Sequence, residues 1–321
     1  MRTKHGLRKR PTKCSFGPLG SPTSLGNPFG ALSAAAIRPP VIEGALASLE
    51  NRYYHLVPSA IAIVRLERAM RIIVAGKGGS GKSTTAALLA KLAVRRGLRV
   101  VLVDADESNP GIRRMLGVIE SNPTLMDMIG GRTHAFGALK DAASEELQAA
   151  VKSVMEKTDS AALSFIEVGK IREAGSGCAC PHGAISREIL SHPFKGGTLV
   201  VFDTEAGVEH FGRGLDALAE MILFVVDPSY EALELCREAK RLADSMSIEF
   251  SAVLNKVEGE HTVAFLTGEL ARRDIKVEAS IPYDNDLFQS ALHGKTLEAR
   301  TAADSIERLL DGVLASSVNS D

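Results

Sequence analysis

The chain has 321 residues, 45% hydrophobic and 24% charged, and its 38 Lys and Arg nearly cancel its 39 Asp and Glu to leave a net charge of −1. That composition is globular and excludes a collagenous or wholly disordered chain, and four cysteines are too few for a disulfide framework at this length. No apolar run approaches the roughly 18 residues a spanning helix needs, so a soluble, cytoplasmic protein with no membrane partner is expected.

The near-neutral average conceals two unlike parts. Residues 1–69 carry ten basic and three acidic side chains, a net +7, which leaves −8 for residues 70–321. From Met1 to about Pro40 the sequence is rich in Gly, Pro, Ser and basic residues without hydrophobic period, too little apolar surface to order it. Its basic start runs into Gly, Pro and Ser and does not read as a secretory signal. Glu43 to Arg68 supports at most a marginal helix. The expected organisation is a disordered basic extension, or a misassigned start, over residues 1–69, followed by one α/β domain over residues 70–321. The extension lacks aromatic interleaving and a recognisable binding fold, so no nucleic-acid partner is expected.

From Met70 the pattern changes. Arg71 to Ala75 is a short apolar run ending at a glycine, Lys82 to Arg96 has helical character closed by Gly97, and Val100 to Val103 is the next buried run. Further apolar runs follow at Thr198–Phe202, Met221–Val226, Phe250–Leu254 and Val277–Ile281, with helical stretches at Tyr230–Ser245, His261–Arg273 and Asp286–His293. Near-continuous apolar strands alternating with helices predict an α/β fold with a mostly parallel sheet covered on both faces.

The first strand leads into Gly76-Lys77-Gly78-Gly79-Ser80-Gly81-Lys82-Ser83, which fits G-x-x-x-x-G-K-[ST] in the required strand–loop–helix setting. Glycines let backbone amides turn toward an anion, the helix N-terminus adds partial positive charge, Lys82 reaches the β- and γ-phosphates, and Ser83 can ligate Mg²⁺, with Thr84 beside it. Binding of a nucleoside triphosphate is therefore expected. Asp104 and Asp106 close the second strand; Asp104 suits the Mg²⁺ shell, and Asp106, on the following loop, suits the attacking water. Leu199 to Gly207 has four apolar residues, then Asp203 and a loop, the form of a strand that reaches Mg²⁺ through water.

Lys77 is not demanded by the generic motif. Lys-Gly-Gly-x-Gly-Lys-Ser resembles the deviant Walker A loop of the MinD, ParA, ArsA and nitrogenase iron protein group. That resemblance implies a P-loop ATPase in which two subunits sandwich ATP and the extra lysine reaches the partner's phosphates. It also implies that Asn255, in Val253-Leu254-Asn255-Lys256-Val257-Glu258, and the backbone near Pro282 contact adenine. The same Asn-Lys pair resembles a guanine motif, with Glu258 where Asp is usual, and ATP is the favoured nucleotide.

Cys178-Ala179-Cys180 projects two thiolates the same way if extended, which half-fills a soft tetrahedral metal site; a two-fold dimer would supply the other pair. A strained disulfide or a chance pair of loop cysteines are the other readings. Cys14 and Cys236 look incidental. His182 reads as a solvated loop residue or a further ligand, and His210 as scaffolding. Glu167 to Cys180 and Asp203 to Gly214, with Ala206-Gly207-Val208-Glu209-His210-Phe211-Gly212-Arg213-Gly214, look like the corresponding segments of the CooC-type carbon monoxide dehydrogenase maturation ATPases. Glu205 departs from the glycine common there. The resemblance implies a homodimeric ATPase coupled to nickel delivery, with Ni²⁺ or Zn²⁺ held between subunits by Cys178 and Cys180 and a nickel metalloenzyme such as carbon monoxide dehydrogenase as client. The alternative is a MinD- or ParA-like positioning ATPase without metal delivery, whose membrane version carries a basic amphipathic C-terminal helix; Ser305 to Leu314 is mixed in charge and lacks that character.

Overall fold

The computed structural model describes residues 68–109, 111–118, 123–131, 145–158, 161–170, 180–208, 211 and 216–316. The expectations for residues 1–67, Cys178, the Cys180 side chain, Glu209, His210 and Arg213 lie outside the described residues.

Seven strands, β1 (Met70–Gly76), β2 (Arg99–Asp104), β3 (Leu163–Glu167), β4 (Thr198–Asp203), β5 (Met221–Val226), β6 (Glu249–Val257) and β7 (Lys276–Pro282), form one sheet in the order β3-β2-β4-β1-β5-β6-β7. Every neighbouring pair is parallel. The helices are α1 (Lys82–Arg95), α2 (Ile112–Leu116), α3 (Leu125–Met128), α4 (Glu145–Thr158), α5 (Cys180–Ser191), α6 (Tyr230–Ser245), α7 (Glu260–Ala271), α8 (Asn285–Leu292) and α9 (Ala303–Ser316).

The apolar runs are near-continuous because both sheet faces are covered: all six residues of β4 and all six of β5 are buried. Along β1, successive side chains point to opposite faces. Ile72 and Val74 join the core made with α1, α2, α8 and α9, while Ile73 and Ala75 join the core made with α3, α4, α5, α6 and α7. The register sets Asp203 beside both Val74 and Asp104, and Asp104 beside Glu167. The ends of β1, β2 and β4 therefore bring their motif residues to one carboxyl edge of the sheet, where open α/β sheets bind ligands.

The six expected strands and four expected helices form, with bounds moved by up to three residues. β3 was not anticipated: it is five residues long, lies at the sheet's edge, and mixes Ser164 and Glu167 with its apolar residues. α9 packs on β7 and α1 and buries Ile306, Leu309, Leu310, Val313 and Leu314, so its apolar face is consumed by the core. Among the described residues, no helix is long and apolar enough to cross a membrane.

Candidate functional site

The phosphate loop is shaped largely by its own backbone. Ser80 N–H donates to the Lys77 carbonyl at 3.1 Å, and Thr85 N–H to the Gly81 carbonyl at 2.9 Å. Gly81 occupies the N-cap of α1 at φ 101° with no side chain capping the helix, which leaves first-turn N–H groups available to an anion. A side chain at either boundary glycine would force its neighbours to shift and strain left-handed backbone. A Cβ on Gly76, at φ 148°, would lie 2.6 Å from the Val225 carbonyl oxygen, and one on Gly81 would overlap the Asn255 amide. Gly78, Gly79 and Thr84 complete the loop and the first turn of α1, and Ser80 is fully buried.

Ser83 Oγ donates to Asp203 Oδ2 at 2.6 Å and accepts from Asn109 Nδ2 at 3.1 Å. Asp203 is completely buried, and its Oδ1 makes no hydrogen bond. Burial and then the neighbouring Asp104 push its carboxyl up to about 8, against the opposing effects of Ser83 and Lys82. Burial likewise pushes Asp104 up to about 6, with Lys170 opposing it. Two crowded carboxylates, of which Asp203 has an orphaned oxygen, beside a serine hydroxyl and a phosphate loop form an all-oxygen donor set. Such donors fit Mg²⁺, which takes a few protein oxygens and completes its shell with water and phosphate.

The remaining expected residues have definite partners. Lys82 Nζ donates to the Lys77 carbonyl at 3.3 Å. Lys77 Nζ donates to Ser229 Oγ at 2.9 Å and lies 3.6 Å from Asp227 Oδ2, within its own chain. Asp106 Oδ1 accepts from the N–H and hydroxyl of Ser108 at 2.9 and 2.6 Å, an Asx-type turn that leaves Oδ2 for other contacts. Asn255 Nδ2 donates to the Ser80 carbonyl at 2.7 Å, bracing the phosphate loop from β6. Pro282 ends β7 next to Tyr283, whose N–H donates to the Val257 carbonyl at 3.0 Å.

Three participants make site contacts that the sequence does not reveal. Lys170 donates to Asp104 Oδ2 at 2.6 Å and to the carbonyls of Asp106 and Asn109 at 2.5 and 2.6 Å. Lys256, in left-handed backbone at φ 58°, donates to the Gly79 carbonyl at 2.7 Å. Ser229 caps α6 and receives Lys77. Ser229 carries the signal of a helix-capping serine and Lys256 stands in the Asn-Lys pair, but Lys170 lies 66 residues from Asp104, and nothing local tells which loop it holds.

His182 corrects an expectation: it lies on α5 and is 2% exposed, not solvated. Its Nδ1 is 3.6 Å from Glu107 Oε2, and it packs so closely on Gly169 that a Cβ there would lie 2.7 Å from Nε2. Burial pushes the Cys236 thiol up, in keeping with an inert core residue. Among the described residues no group of three or more His, Cys, Asp or Glu side chains is arranged to hold a metal. A groove of about 470 Å³ bounded by Lys240, Phe250, Ala271 and Lys276 lies at the amino ends of β6 and β7 and shares no residue with this site.

Residues 71–297 match the family model described as the CobQ/CobB/MinD/ParA nucleotide binding domain. An uncharacterized ATP-binding protein of Methanocaldococcus jannaschii is 34% identical over 241 residues, spanning 72% of this chain and 94% of that one. The carbon monoxide dehydrogenase accessory protein CooC of Rhodospirillum rubrum is 31% identical over 225 residues, spanning 67% of this chain and 84% of that one. In fold, the septum site-determining protein MinD of Pyrococcus horikoshii, complexed with Mg-ADP, aligns with a TM-score of 0.57 at 18% identity, covering 76% of this chain and 96% of that one. The chain belongs to the CobQ/CobB/MinD/ParA nucleotide-binding domain family and is a P-loop ATPase.

Proposed function

We propose that this ATPase is a nucleotide-switched homodimeric metallochaperone of the CooC type, which delivers nickel to carbon monoxide dehydrogenase or a related metalloenzyme in the cytoplasm. The observation that carries this reading is the Cys178-Ala179-Cys180 pair in a chain 31% identical to CooC of Rhodospirillum rubrum. Its position supports coupling to the nucleotide: Cys180 opens α5, and α5 bears His182, which packs beside Glu107 in the loop after β2.

In the proposed cycle the amides of Gly76 to Ser83 and Thr84 cradle the phosphates, Lys82 and Lys77 neutralise charge on the transferred phosphoryl group, and Asp106 orients water. Ser83, Asp203 and Asp104 would hold Mg²⁺, which when bound draws charge from the leaving phosphate. Asn255 and the backbone at Pro282 line the adenine side. Lys77 exchanges Ser229 and Asp227 for the phosphates of the ATP bound by the partner subunit. Closure of the dimer brings two Cys178/Cys180 pairs together around Ni²⁺ or Zn²⁺, and hydrolysis separates them because metal affinity differs between the two states. Residues 70–321 form this ATPase unit and residues 1–69 lie outside its chemistry.

Metal titration with and without ATP, read as dimer mass, tests the reading. One metal per two chains is expected, lost in the Cys178→Ser/Cys180→Ser variant while ATP binding persists. Unchanged metal stoichiometry in that variant rejects the proposal. Salt-sensitive DNA retention that disappears on deleting residues 1–69 would point instead to a positioning ATPase.

A further inference from the structure

Lys170 lies at the exit of β3, in the segment from Glu167 to Cys180, where the sequence alone assigns it no role. Its side chain is 11% exposed, and its ammonium makes three short hydrogen bonds, to Asp104 Oδ2, the Asp106 carbonyl and the Asn109 carbonyl. An ammonium has three N–H donors, so this one is fully used. All three acceptors belong to the single stretch Asp104 to Asn109. The far end of that stretch is tied to the phosphate loop, since Asn109 Nδ2 donates to Ser83 Oγ at 3.1 Å.

Charge neutralisation alone would require one contact, to Asp104. The two bonds to backbone carbonyls neutralise nothing; they set where the loop runs. Immobilising a lysine costs side-chain entropy, and burying its charge costs more unless its contacts compensate. All three acceptors are served by the single Lys170 Nζ, whereas a guanidinium spreads its donors over three nitrogens in one plane.

We infer that Lys170 is a positioning residue for ATP hydrolysis, holding the Asp104–Asn109 loop at a fixed height over Ser83 so that Asp106 meets the water and Asn109 holds the serine hydroxyl. The inference rests on the proposed roles of Ser83 and Asp106 and is independent of any metal cargo. Loss of the ammonium lets the loop move by a fraction of an ångström or more, and misplacement on that scale costs about tenfold to hundredfold in rate without removing a group that touches substrate.

The test compares full-length wild type, Lys170→Met and Lys170→Arg. Steady-state hydrolysis gives kcat and KM for Mg-ATP, and a fluorescent ADP analogue titrated with and without Mg²⁺ counts competent sites. In Lys170→Met, kcat per nucleotide-binding site should fall at least about tenfold with KM changed less than about twofold. The gain in ADP affinity on adding Mg²⁺ should shrink severalfold through the Asn109–Ser83 contact. Lys170→Arg, which keeps the charge but not the three-way geometry, should recover only part of the rate. Unchanged kcat per site in Lys170→Met, a loss confined to KM, or full rescue by arginine would overturn the inference. If Lys170→Met binds no nucleotide, the arginine variant decides alone: wild-type kcat and Mg²⁺ dependence reject the role, and a kcat loss at unchanged KM supports it.

Discussion

The phosphate loop and the neighbouring Asp104–Asn109 loop meet at Ser83 but are held in different ways. The first is turned mainly by its own backbone, with glycines at Gly76 and Gly81 where a Cβ would strike Val225 or Asn255, and Asn255 and Lys256 of β6 brace two of its carbonyls. The second is organised from outside, by Lys170 at the exit of β3 and by Glu107 beside His182 on α5. The phosphate loop is thus set first by its local sequence and then braced from β6. The other loop belongs to this tertiary arrangement, and its Glu107 lies beside His182 on the helix that Cys180 opens.

The largest expected effect breaks the self-held loop. Gly81→Ala combines a left-handed backbone position with a clash against the Asn255 amide, and it should weaken ATP binding by at least about a hundredfold, read by titration with a fluorescent nucleotide. Near-normal affinity would mean that the Asn255 amide gives way and that the loop tolerates alanine in left-handed backbone. The intermediate effect tests the externally held side: Gly169→Ala would place a Cβ 2.7 Å from His182 Nε2 and 2.9 Å from Met126 Cβ. Overpacking of this kind costs about 1–3 kcal/mol, visible as a lower denaturation midpoint while the phosphate loop itself is untouched.

The third effect concerns the carboxylates between the two loops. Burial raises Asp203 to about 8 and Asp104 to about 6, so the nucleotide-free folded chain keeps protons that the unfolded chain has already released. Stability must then fall as pH rises from the ordinary carboxylate range toward 8, with a slope of up to roughly 1.4 kcal/mol per pH unit for each proton retained. Melting temperatures of nucleotide-free protein between pH 6 and 8.5 should show this decline, and Asp203→Asn should flatten it. A wild-type profile that rises over that interval contradicts the assignment of Asp203 as a buried carboxyl awaiting a cation.

Much of the fold was legible because the information was local. Strands such as Thr198–Asp203 and Met221–Val226 are buried on both faces, so each appears as an unbroken apolar run whatever its neighbours. β3 was illegible for the converse reason: at the sheet's edge, five residues that include Ser164 and Glu167 resemble a loop until β2 pairs with them. In the site, Lys82, Ser83 and Asp203 were found from their place at strand and helix ends, whereas the in-chain rest position of Lys77 on Ser229 depends on β1 and β5 being neighbours.

Residue order by itself determined the strand-to-helix phosphate loop, the parallel α/β class and the acids that end β2 and β4, because backbone permissiveness at glycine and the burial of apolar runs act over a few residues. Only the tertiary structure decided what those acids face. The sheet order puts β2 between β3 and β4, so Asp104 lies between Lys170 and Asp203, and a lysine 66 residues away supplies the charge and the three donors that hold the loop. Contacts at that separation depend on which strands pair, and pairing is a property of the whole folded sheet.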